Sequence, residues 1–60
     1  MSLALEKMHK AMDSLMRAMQ NYKEGNKRAS IGDIHYVQDN CEEAICLLLA
    51  ELDEMSSDIK

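Results

Sequence analysis

Glu6 and His9 form a Glu-x-x-His pair. On a helix the two side chains share a face, and bundles that hold two metal ions use such a pair from each of two helices, with a carboxylate from each of the others. His35, Asp39 and Glu42 step by four and three, a spacing that also suits zinc or another divalent ion. Both sets have a plainer reading, because solvated helix faces carry acids and histidines at these intervals routinely. Glu6 and His9 also fall beside the apolar stripe, and the second half offers no inward carboxylate at their level. No metal or cofactor is expected. Glu51, Glu54 and Asp58 make an acidic strip. A catalytic carboxylate needs a pKa raised toward neutrality, and nothing near these three in sequence supplies that. Cys41 lies on an apolar stripe, where a thiol is inert packing. Cys46 has no His or other base placed beside it. No catalytic residue is identified, and the chain reads as non-enzymatic.

Five cations could track a nucleic-acid backbone: Lys7, Lys10 and Arg17, with Lys27 and Arg28. A symmetric dimer would double the patch. Small four-helix-bundle RNA binders, similar only in size and architecture, use a helix face in that way. No recognition motif accompanies the patch, and a formal net charge of −4 opposes it. A small RNA- or DNA-binding regulator is therefore the alternative reading, behind protein binding.

The elements that would position these residues are legible in the apolar pattern. In the first half Leu5, Met8, Met12, Leu15, Met19 and Tyr22 recur at alternating intervals of three and four. In the second half Ile31, Ile34, Gln38, Cys41, Ile45, Leu48, Leu52, Met55 and Ile59 do so. Each set makes one narrow stripe on a helix. Composition agrees: there is no proline, tryptophan or phenylalanine, and there are six methionines. The fold class is all-α, an antiparallel two-helix hairpin dimerising into a four-helix bundle, with residues 1–60 as one domain.

Helix 1 is expected over about 2–23, with Ser2 as a cap and Gly25 as the left-handed residue past its end. The connector is 24–29. Helix 2 is expected over about 30–57, started by a capping box of Ser30 and Asp33 with Ala29 and Ile34 as a weak staple. If the two stripes face each other, the layers are Leu5–Leu48, Met8–Ile45, Met12–Cys41, Leu15–Gln38, Met19–Ile34 and Tyr22–Ile31. The turn then centres between Asn26 and Lys27. Ala4, Ala11 and Ala18 also repeat every seven residues. They are either good helix formers at a boundary or the mark of a close antiparallel contact, within the hairpin or across a dimer.

Size and charge point to assembly. A chain of 60 residues buries only about 60% of its unfolded surface, so oligomerisation is a common remedy. Residues 1–30 hold six cations against three anions, and residues 31–60 hold one cation against eight. Oppositely charged helices prefer each other to their own kind. The run from Ala44 to Ala50 is apolar on all sides, and such a helix is normally covered on all sides. Met16, Cys46, Leu47, Leu49 and Ala50 are the candidate interface, for a second copy (a dimer first) or for a partner helix. Cys41 and Cys46 sit about 140° apart on a helix and cannot bridge within it. Reduced thiols, with no basic-then-apolar leader and no stretch of about 18 apolar residues, lead to the expectation of a cytoplasmic protein without a membrane span.

Overall fold

The computed structural model describes the backbone of residues 2–59 and the side chains of residues 2–53. Two helices pack against each other: α1, Leu3–Lys23, and α2, Lys27–Ile59. The extents are 54 × 18 × 10 Å, so the hairpin is a slab one helix thick.

Helix α1 starts as its sequence suggests. The Ser2 side chain accepts a hydrogen bond from the Leu5 amide at 2.9 Å, filling one orphan donor of the first turn. It ends in a paired-hydrogen-bond cap. The Asn26 amide donates to the Asn21 carbonyl at 2.8 Å and the Gly25 amide to the Tyr22 carbonyl at 3.0 Å. That Schellman geometry needs a left-handed residue, and Gly25 supplies it at φ 84°.

The second helix begins three residues before the expected cap. Asn26 follows Gly25 directly and takes the capping role. Its Oδ1 accepts from the Ala29 amide at 3.2 Å, and its carbonyl takes the first helical bond, from Ser30, at 3.1 Å. The turn therefore shrinks to Glu24–Asn26. Ser30 and Asp33 are not a capping box. The Ser30 hydroxyl donates across to the Ala18 carbonyl at 2.9 Å, and Asp33 accepts from the Asn21 amide group at 2.7 Å.

The seam is also not the one expected. Leu5, Met8, Met12, Leu15, Met19 and Tyr22 do not face Ile31, Ile34, Cys41, Ile45 and Leu48 inside the hairpin; these side chains are exposed. Cys41 is thus an exposed thiol. The residues that meet stand one position earlier on both helices. On α1 they are Ala4, Lys7, Ala11, Ser14, Ala18 and Asn21, and on α2 they are Ser30, Asp33, Val37, Asn40, Ala44 and Leu47, all buried or half-buried. Ser14 is 0% and Ala18 2% exposed. The alanine repeat is the close contact within the hairpin. Small side chains let the backbones approach until the Ser30 hydroxyl reaches a main-chain carbonyl on the other helix. Larger stripe residues would hold the helices further apart.

The seam is narrow but complete. Asn40, 3% exposed, returns its amide group to the Tyr36 carbonyl at 2.9 Å. No buried side-chain nitrogen or oxygen among the described residues lacks a partner, which matters because an orphaned polar group there would cost about 1–3 kcal/mol.

Candidate interaction face

A shift of one residue along a helix is a turn of about 100°. The apolar stripes of α1 and α2 both follow their seam residues by one. On antiparallel helices the same rotation, taken along each chain direction, brings both stripes to the same side of the hairpin. Leu5 and Leu48, Met8 and Ile45, Met12 and Cys41, Leu15 and Gln38, Met19 and Ile34, and Tyr22 and Ile31 therefore lie side by side on one broad face. Their expected register survives as adjacency on that face, without mutual burial. The large apolar members from Leu5 to Leu52 are 39–64% exposed, and Gln38 is the polar interruption. Met55 and Ile59 lie outside the described side chains.

The opposite face is braced across the seam by charged pairs. The Lys7 ammonium pairs with Glu43, which holds the Lys7 pKa above its ordinary value, chiefly through that hydrogen bond. Arg17 donates to the Ser14 hydroxyl at 3.3 Å and lies 3.7 Å from Asp33. An open groove of about 500 Å³ on this side is lined by Leu3, Lys7, Asp39, Glu42, Glu43, Cys46 and Leu47.

The residues singled out from the sequence scatter over this frame. Among the candidate interface residues, Leu47 is half-buried and closes the seam at its open end, whereas Met16, Cys46, Leu49 and Ala50 are exposed. Cys46 lines the groove. Met16, Leu49 and Ala50 do not belong to the broad face, whose members come one or two residues away. The basic set is divided. Lys7 and Arg17 are engaged with acids, while Lys10, Lys27 and Arg28 are exposed. Glu6, His9, His35, Asp39 and Glu42 are exposed. Among the described residues, no three of His, Cys, Asp and Glu gather as a metal-holding group. Glu51 is exposed; Glu54 and Asp58 lie outside the described side chains. No helix among the described residues is long and apolar enough to cross a membrane.

Sequence reasoning found every member of the broad face and assigned it to the wrong neighbour. It missed Ser14, Asn21 and Asn40 as seam residues. The signal was present: Ala4, Lys7, Ala11, Ser14, Ala18 and Asn21 are themselves a three-four series. Compared with known protein families, curated proteins and solved structures, the chain shows no match.

Proposed function

We propose that the chain is a small non-enzymatic protein–protein interaction module, an adaptor, chaperone-like or regulatory protein, that acts as a homo-oligomer. Its working surface is the broad apolar face, and its basic form is a dimer of hairpins closed face to face into a four-helix bundle. One observation carries this reading: the seam buries alanines and small polar residues, leaving eleven large apolar side chains together on one exposed side. Soluble monomers rarely expose contiguous apolar patches above a few hundred Å². Eleven side chains, each about half exposed, offer on the order of 1,000 Å² per copy, more than the ~800 Å² per partner of a standard interface.

The face is flat and one-sided, and a second identical face complements it by rotation. Sedimentation at micromolar concentration tests the proposal. The expected mass is that of two chains, and Ile45→Asp, in the middle of the face and away from the seam, should return the mass of a single chain. A wild-type monomer at that concentration would refute the dimer.

A further inference from the structure

The dimer proposed above leaves one choice open, and the charge distribution makes it. Two flat faces can be related by a two-fold axis lying in the interface in either of two directions. With the axis parallel to the helices, α1 rests on the partner's α2 and the two turns lie at the same end. With the axis across the helices, α1 rests on the partner's α1, α2 on the partner's α2, and the turns lie at opposite ends. Over the stretch where α1 and α2 run side by side, both bury the same side chains. Both also set every stacked pair of helices antiparallel, so neither apolar area nor helix dipoles choose between them.

Charge does. Helix α1 carries four cations against two anions, a net +2, and α2 carries two cations against eight anions, a net −6. Adjacent helix axes in a bundle lie about 8–10 Å apart; charges on the outer sides of the helices are further apart than that, so the preference they set is strongest at low salt, where the Debye length exceeds about 10 Å. The opposite-end arrangement stacks the two acidic helices on each other. The same-end arrangement stacks each acidic helix on a basic one, twice. We infer that two copies associate through the broad apolar face with both Gly25–Asn26 turns at one end, α1 of each copy on α2 of the other.

Dipolar electron-spin distances at the turn decide this. A nitroxide is placed at position 27 by Lys27→Cys in a Cys41→Ala, Cys46→Ala chain. The same-end dimer gives a distance on the order of 20 Å, the width of a bundle plus its labels. The opposite-end dimer gives about 30 Å or more, because 21 residues of α1 at about 1.5 Å each separate the ends. A long distance overturns the arrangement while keeping the dimer. An absence of dipolar coupling at concentrations where the unlabelled chain sediments as a dimer shows a damaged variant, and the native cysteines then decide. Cys41 sits near the middle of the α2 stripe, so the opposite-end dimer brings two Cys41 thiols together. In Cys46→Ala, mild oxidation should leave the same-end dimer without a disulfide between chains. A rapid, quantitative Cys41 cross-link would overturn the arrangement. If the unlabelled chain sediments as a monomer, the dimer reading fails first and this one with it.

Discussion

At the scale of single residues, size decides more than hydrophobicity. Ala18 is 2% exposed and lies where the Ser30 hydroxyl bonds its carbonyl; Met19, its neighbour, is about half exposed. Ala18→Leu adds the kind of side chain that usually stabilises a helix pair. Here it must push the backbones apart and break the Ser30 contact. The expected loss is about 1–3 kcal/mol in urea unfolding, the usual range for overpacking. Ala18→Gly should cost less, mainly helix propensity of about 1 kcal/mol. Charge acts at this scale as well. The Lys7–Glu43 hydrogen bond raises the Lys7 pKa above 10.5. A cation whose folded pKa is raised adds stability that is complete below the unfolded value and fades as pH rises through the folded one. The pair therefore adds nothing pH-dependent near neutrality. An NMR titration of the Lys7 side chain should place its midpoint above 10.5, and Glu43→Gln should bring it back toward the ordinary value.

At the scale of the element, α2 carries an unneeded glycine. With the helix starting at Lys27, Gly32 sits in its second turn, where a glycine weakens a helix. A Cβ built at Gly32 meets nothing within 4 Å. Gly32→Ala should therefore stabilise the fold by about 0.5–1 kcal/mol, read as a higher melting temperature with unchanged mass. Gly25→Ala should do the reverse, since φ 84° is a left-handed conformation that costs an L-residue about 1–2 kcal/mol. The helices and their antiparallel pairing were legible in the sequence because a three-four period can only be a helix stripe, and a glycine after Lys23 can cap one. Which stripes would touch was not. Apolar periodicity says that Leu5 to Tyr22 and Ile31 to Leu52 prefer cover, but is silent on whether the cover is the other helix or another molecule. The alanine series states a distance of approach, and a close approach excludes methionine and isoleucine from the seam. The start of α2 was misplaced for a related reason. Ser30 and Asp33 have the chemistry of a cap, and only the close helix pairing shows them used across the seam, leaving Asn26 to cap.

At the scale of the whole molecule, a slab 10 Å thick has no interior of its own. Among the described residues its seam buries four alanines, Ser14 and Asn40. A buried methyl or methylene contributes roughly 0.8 kcal/mol, against an ordering cost of about 1.5 kcal/mol per residue. The side chains able to offset that cost are the leucines, isoleucines and methionines of the open face, which are about half exposed in the single hairpin and contribute more when covered. Helix α2 has 33 residues and α1 has 21, so α2 outruns α1 by about three turns, and Leu49 and Leu52 stand on the overhang, exposed. If two copies cover that face as proposed, folding and association become one transition, from dimer to two unfolded chains. Tenfold dilution weakens such a dimer by about 1.4 kcal/mol. Spread over the unfolding entropy of two chains, about 2.1 cal/mol/K per residue, this lowers the melting temperature by about 5 °C. Melting followed by circular dichroism at two concentrations a hundredfold apart should therefore differ by about 10 °C. Ile45→Asp should remove that dependence and melt far lower at every concentration. A wild-type midpoint that ignores dilution would mean that the alanine seam alone supports the hairpin, and that the broad face has some task other than holding the molecule together.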